Sequence, residues 1–133
     1  MVTSALHPEL ARYLSAEKAD QASRSPDGSI SMVFDAQYRV TCQVFAQGDL
    51  LLEARVLRLP DDEGSRTTTV EMLLEQAGQR LQDHAEWLAL GSGGQILMLQ
   101  QIVPAQADRI QFSNMLDSFV NALAGWRRLA GVL

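Results

Sequence analysis

The residue types that most often carry catalysis or bind metals are sparse in this sequence. The two histidines, His7 and His84, have no cysteine at a metal-ligand spacing, so a zinc site would need distant carboxylates to complete it. The single cysteine, Cys42, alternates with Val40 and Val44, and a thiol placed so on a strand is usually a small buried hydrophobe. We therefore predict neither a metal site nor a catalytic thiol.

Two further stretches share only part of the pattern of a ligand-binding loop. Residues 91–94 are glycine-rich, but no Lys-Ser or Lys-Thr pair follows and a strand pattern comes next, as after a hairpin turn. The acidic run at 61–63 lacks the spacing of a cation-binding loop and is typical of a solvated loop. The sequence thus predicts a protein that is not an enzyme and has no cofactor.

Composition and charge exclude other classes of function. The 133 residues have the size of one domain, residues 1–133, and 47% hydrophobic and 20% charged residues are ordinary globular values. A net charge of -5 argues against nucleic acid, and no apolar run approaches the ~20 residues that cross a bilayer. One cysteine and no secretory signal pattern favour a cytoplasmic location. A polypeptide is the expected partner.

The first half of the chain has the pattern of a helix followed by a β-meander. Apolar residues at helical spacing predict a helix over residues 5–19, and a turn-rich connector follows at 23–28. Period-two alternation over 30–34, 38–44 and 50–56 predicts three antiparallel strands, because their short connections suit hairpins and not parallel crossovers.

The second half repeats the pattern with fewer strands. Thr68 and Glu71 have the spacing of a capping box, which predicts a helix from there to about His84. Residues 87–90 and 95–103 predict a second hairpin, and an amphipathic closing helix begins at about Ala107. The fold class is therefore α+β, in the order α-β-β-β-α-β-β-α, with three helices on a twisted antiparallel sheet.

Three features carry a resemblance: this order of elements, the small acidic chain, and a closing helix with Leu116, Phe119, Leu123 and Trp126 on one face. Through these features the chain resembles the class I type III secretion chaperones, the Tir chaperone-like family. The resemblance covers nearly the whole chain. It implies a homodimer in the cytoplasm of a Gram-negative bacterium that binds the N-terminal region of a secreted effector. It further implies that the effector is kept extended and soluble for export.

Two sets of apolar residues are candidates for these contacts. In that family the first helix and the sheet hold the effector, whereas the middle helix and the next strand contribute to the dimer. The effector-binding candidates are Leu6, Leu10, Tyr13, Leu14, Met32, Phe34, Val44, Phe45, Leu51 and Leu57. The dimer candidates are Leu73, Leu74, Ala77, Leu81, Trp87 and Leu88.

Phe45, Leu51 and Leu57 are expected to form an exposed patch if Val44 and Leu50 face the core. Which apolar face is groove, core or dimer interface stays open at this point. Two alternatives also stay open: a small-molecule-binding or enzymatic α+β domain, and an adaptor that binds the export apparatus instead of an effector.

Overall fold

The computed structural model describes residues 9–10, 22–24, 26, 28–80, 86–91 and 93–131. These residues form an antiparallel sheet of six strands together with two helices, where three helices were predicted; the α+β class is confirmed. The strands are β1 (Ala22–Arg24), β2 (Ile30–Phe34), β3 (Tyr38–Val44), β4 (Leu50–Arg58), β5 (Trp87–Leu90) and β6 (Ile96–Val103). The helices are α1 (Glu63–Arg80) and α2 (Arg109–Leu129).

Five of these strands lie where the sequence patterns predict them, and the sixth corrects the prediction. The segment 23–28 was predicted to be a connector, but Ala22–Arg24 pairs antiparallel with β2. This short strand satisfies backbone groups that β2 would otherwise leave unpaired at the edge of the sheet. Of the predicted helix over 5–19, Glu9 and Leu10 are helical, and the rest lies outside the described residues.

The strands are arranged in the order β1-β2-β3-β4-β6-β5. Consecutive strands β2, β3 and β4 pair through hairpins, whereas β6 returns to pair with β4 and leaves β5 at the edge. The two edges of the sheet are therefore β1 and β5, which are also its shortest strands. Short edge strands limit unwanted pairing with other chains.

One face of the sheet carries the hydrophobic core, which α2 covers. Leu50, Leu52 and Leu99 are fully buried on this core face, and Phe112 and Phe119 of α2 pack in the same cluster. Asp108 caps α2 because its carboxylate accepts a hydrogen bond from the Gln111 backbone N–H at 2.8 Å, and the Gln111 side chain accepts from Asp108 N–H. The closing helix predicted from about Ala107 is thus confirmed.

Helix α1 begins five residues before the predicted capping box. The carboxylate of Asp62 accepts a hydrogen bond from the Ser65 N–H at 2.8 Å and acts as the N-cap. Thr68 lies inside the helix, where its hydroxyl donates to the Gly64 carbonyl at 3.0 Å. The acidic run at 61–63 is therefore a helix start and not a separate loop, because an aspartate satisfies the free N–H groups of a first turn.

Candidate functional site

Of the predicted effector-binding residues in the first helix and β2, those that the structure describes pack in the core or against it. Leu10 and Met32 are both 1% exposed, and Phe34 packs partly buried against the same cluster. The candidates Leu6, Tyr13 and Leu14 lie outside the described residues. Leu10 and Met32 therefore stabilise the fold and offer no surface in this chain alone.

The tip of the β3–β4 hairpin exposes apolar side chains. Val44 is 36% exposed and Phe45 is 51% exposed. The Phe45 N–H donates to the Asp49 carbonyl at 2.6 Å, and Asp49 in turn accepts from the Ala105 N–H at 2.9 Å. These bonds hold the backbone of the hairpin tip on both sides, and they leave the Phe45 side chain exposed there.

The expected patch of Phe45, Leu51 and Leu57 is wrong for two of its three members. Leu51 lies opposite Ile102 on β6 and is only 7% exposed. Leu57 follows a register shift between Arg55 and Leu57 and packs partly buried against the core. A β-bulge adds one residue to the strand and reverses which face each later side chain occupies, so strict alternation misplaces Leu57.

An apolar cleft of about 270 Å³ opens between α1 and β5. We call it the α1/β5 cleft, and its apolar lining comes from Leu74, Ala77, Trp87, Leu88 and Trp126. Leu74 is 58% exposed and Trp87 is 38% exposed, whereas Leu73 points inward and is 1% exposed. Four of the six dimer candidates thus line one surface, while Leu73 anchors α1 to its own chain and Leu81 lies outside the described residues.

A row of polar side chains crosses the face of the sheet opposite the core. The strand register brings Ser31, Thr41, Glu53, Gln100 and Trp87 into line across five strands. The Trp87 indole N–H donates to Gln100 Oε1 at 2.9 Å, and Gln100 Nε2 donates to Glu53 Oε2 at 2.6 Å. The Ser31 and Thr41 hydroxyls share a bond of 3.3 Å. Sequence alone does not reveal this row, because it depends on the register of distant strands.

Beside this row the sheet divides between β3 and β4. Pairing of these strands ends at Thr41 and Glu53, although both strands continue. A cleft of about 450 Å³ occupies the division, and its lining includes Arg39, Arg55 and Arg127. Arg127 of α2 joins the two sides, because its guanidinium donates to the Arg55 carbonyl at 2.8 Å and to the Gln37 carbonyl at 3.2 Å.

The described residues provide no arrangement for nucleophilic or metal chemistry. Cys42 is buried, and burial raises the pKa of its thiol to about 12, so the nucleophilic thiolate is not formed at neutral pH. No cluster of three His, Cys, Asp or Glu side chains that could hold a metal ion occurs in the ranges that the structure covers. Neither helix of this part of the chain is long and apolar enough to cross a membrane.

Comparison with known proteins identifies a family. The sequence profile of the Tir chaperone protein (CesT) family matches residues 9–127. No individual curated protein sequence matches the chain. The matched range extends from Glu9 to Arg127 of α2, so it includes all of the surfaces described above.

Solved structures share this fold at low sequence identity. A chain of the ExsC–ExsE complex has a TM-score of 0.69 and 21% identity, over 93% of this chain and 92% of that chain. A chain of the HopA1–SchA chaperone–effector complex has a TM-score of 0.65 and 19% identity, over 92% of this chain and 91% of that chain. The structure of the Yersinia pestis type III secretion chaperone SycH, in complex with a stable fragment of YscM2, has a TM-score of 0.59 and 16% identity. The match covers 92% of this chain and 98% of that chain. At these identities the likeness establishes the fold.

Proposed function

The chain belongs to the Tir chaperone protein (CesT) family, and on that premise we propose that it is a type III secretion chaperone which binds the N-terminal region of a secreted effector. The family match over residues 9–127 carries this proposal. The similar structures support it, because one is a chaperone–effector complex and another contains a type III secretion chaperone with a bound fragment. The chaperone keeps its effector extended and soluble in the bacterial cytoplasm and promotes its secretion.

The surface of the chain fits a function in binding and not in chemistry. Exposed apolar side chains at the hairpin tip and in the α1/β5 cleft can bury area against a partner, which is the main source of affinity between proteins. An extended segment can also add to a sheet edge, where its backbone is satisfied by strand pairing while alternate side chains enter pockets. The chain offers such edges at β1 and β5.

We propose that the chaperone is a homodimer that forms through the α1/β5 cleft. Helix α1 fixes itself to its own chain mainly through Leu73, while Leu74 on a neighbouring face is 58% exposed beside Trp87. A second copy that covers both side chains would bury apolar area that a monomer leaves in water.

Secretion of the partner tests the proposed function. We expect affinity purification from the native bacterium to recover one secreted protein, and removal of its N-terminal region to abolish the complex. Export of that protein into the medium should fall at least tenfold in a strain that lacks the chaperone and recover with the wild-type gene. Export of a secreted protein that does not bind the chain is the control. Equal export of the bound protein with and without the chain would contradict the proposal.

A further inference from the structure

The division between β3 and β4 occurs where two arginines would otherwise face each other. Continuing the register from Thr41 and Glu53 by two residues would place Arg39 directly opposite Arg55. Like charges on opposed positions of an antiparallel pair destabilise the pairing. The bulge in β4 adds local twist at the same end of the sheet. The strands separate there, and we call the resulting cleft the arginine seam.

Arg127 adds a third positive group to the arginine seam. Its Nε and Nη2 atoms donate to the Arg55 carbonyl at 3.0 and 2.8 Å, and its guanidinium carbon lies 5.6 Å from the centre of the Tyr38 ring. These contacts hold the group but supply no negative charge, because their acceptors are neutral carbonyls. Burial lowers the pKa of Arg127; the electrostatic interaction with Tyr38 opposes this shift, and the positive charge of Arg55 adds to it.

The carboxylate within the seam does not form an ion pair with these arginines. Glu53 lines the cleft, but its Oε2 atom accepts a hydrogen bond from Gln100 at 2.6 Å. No carboxylate in the described ranges lies within 4.0 Å of the guanidinium groups of Arg39, Arg55 or Arg127. Arg39 and Arg55 are also exposed, so the guanidinium groups of both side chains are accessible to the carboxylate of another molecule. A chain of net charge -5 thus brings three arginines to one cleft in which the Glu53 carboxylate is hydrogen-bonded to Gln100 and not to a guanidinium.

We propose that the arginine seam binds the carboxylate of an aspartate or glutamate side chain in the bound polypeptide, an inference that rests on the proposed function. Guanidinium groups bind carboxylates through paired, charge-assisted hydrogen bonds. Apolar atoms of Ala54 and Met98 also line the cleft, and they fit the short apolar stem of such a side chain. A free inorganic anion has no stem to place there. The seam therefore adds an ionic contact to binding that is otherwise apolar.

The first test measures the seam without a partner. Nitrogen-15 NMR at constant ionic strength follows the Nε–H signals of the arginines while N-acetylglutamate methylamide is added. We expect saturable shifts of Arg39 and Arg55, none with N-acetylglutamine methylamide, and none in the Arg39→Gln/Arg55→Gln variant. The control variant Arg58→Gln/Arg109→Gln, which changes exposed arginines outside the cleft, should retain the shifts. Absence of saturation, or saturation by inorganic phosphate alone, overturns the proposal.

The second test uses the co-purified partner. Arg39→Gln/Arg55→Gln should weaken its binding at least about tenfold, the range of a charge-assisted hydrogen bond, and the Arg58→Gln/Arg109→Gln control should not. Changing one acidic residue of the partner to its amide should weaken binding to the wild-type chain by the same factor. The same change should not weaken binding to the Arg39→Gln/Arg55→Gln variant any further. Undiminished binding, or a change in the oligomeric state of the double variant, overturns the assignment. A chain without any polypeptide partner would instead refute the proposed function, and the first test would still report on the seam.

Discussion

Cys42 lies on the core face of β3, and its side chain is 1% exposed. The low polarity of its surroundings disfavours the charged thiolate and raises the pKa of the thiol to about 12, against roughly 8.5 for an exposed cysteine. A nucleophile requires the opposite shift. The prediction from sequence that this thiol packs as a small hydrophobe agrees with its position.

We expect native Cys42 to be inert toward a thiol reagent such as Ellman's reagent at pH 8, and to react fully in denaturant. Val44→Cys is a suitable control, because Val44 lies on the same strand and is 36% exposed. That variant should release about one equivalent of chromophore within minutes, since an exposed thiol is partly ionised at this pH. Rapid reaction of the native wild-type protein would contradict the buried position of Cys42.

Asp62 stabilises the start of α1 through its negative charge and its hydrogen bonds. The pKa of its carboxyl is lowered, chiefly because the Ser65 backbone N–H donates to the ionised form. A folded pKa below the unfolded value means that the contribution is fully present above about pH 3.9, the unfolded value. It is lost as the pH falls through the lower pKa of the folded state.

Replacing Asp62 by Ala should lower the melting temperature at pH 7, because the first turn of α1 loses its cap. The difference from wild type should vanish at acidic pH. Asp61→Ala is the matched control, because Asp61 carries the same charge one position earlier and only approaches Arg58 at 4.0 Å. Thermal unfolding from pH 2 to 7 measures both. Equal destabilisation by the two variants would show that charge, and not capping, matters.

At the scale of elements, α1 has an unusual division of its apolar residues. Leu73 is buried and Ala77, one turn later, packs against the core, so a narrow stripe fixes the helix to the sheet. Leu74 lies on a neighbouring face and remains 58% exposed. A helix of 18 residues fixed by so narrow a stripe gains additional stability when another surface covers its second apolar face.

We predict that Leu74→Asp converts the proposed dimer into a monomer, because a carboxylate in the α1/β5 cleft would lose its water on association. Light scattering after gel filtration should give twice the 14.6 kDa chain mass for wild type and the single mass for the variant. Ile110→Asp is the control, since Ile110 is 70% exposed on α2 outside the cleft. A monomeric wild-type protein, or a dimeric Leu74→Asp, would refute this interface.

The elements differ in how much of them the sequence could predict. Strands β2 to β4 follow from alternation, and β5 and β6 follow from apolar residues on either side of a glycine-rich turn. Helix α2 follows from its apolar face, because the core imposes these patterns directly. The start of α1 was misplaced because both Thr68 and Asp62 are acceptable caps, and only the Ser65 hydrogen bond decides between them. The pairing of β1 with β2 is a backbone interaction, so the side chains of this short strand gave no signal.

The site was less predictable than the fold, because its features join residues far apart in sequence. The row from Ser31 to Trp87 needs the register of five strands, and the arginine seam needs Arg127 beside Arg55. Leu51 was misjudged because both faces of β4 are covered where it lies. Exposure of Phe45 was predictable, because it lies just beyond the strand end.

At the scale of the whole molecule, the exposed surfaces lie on separate parts of the sheet, so partner binding and dimerisation can be tested apart. We predict that Phe45→Asp weakens effector binding at least about tenfold while the dimer stays intact, since the change removes an aromatic side chain that the bound effector would cover. Titration calorimetry with the effector segment and light scattering provide the two measurements. Ile110→Asp is again the control, because it places the same charge at another exposed apolar position.

Unchanged affinity of Phe45→Asp would exclude the hairpin tip from the binding site. A folded but monomeric Phe45→Asp would mean that the tip belongs to the dimer interface. Leu51→Asp cannot replace it as a test, because Leu51 is 7% exposed and the variant would bury a charge and unfold.

The division between β3 and β4 leaves the sheet unevenly paired. Four residue pairs join β3 to β4, whereas eight join β4 to β6, so the sheet consists of two panels that share a short common border. At the open end of this border the Arg127 guanidinium donates to the Gln37 and Arg55 carbonyls, so a side chain of α2 links the backbone on either side where strand pairing is absent. The sheet at this border therefore depends on four paired positions and one arginine of the closing helix, whereas strand pairing along most of β4 holds the border with β6.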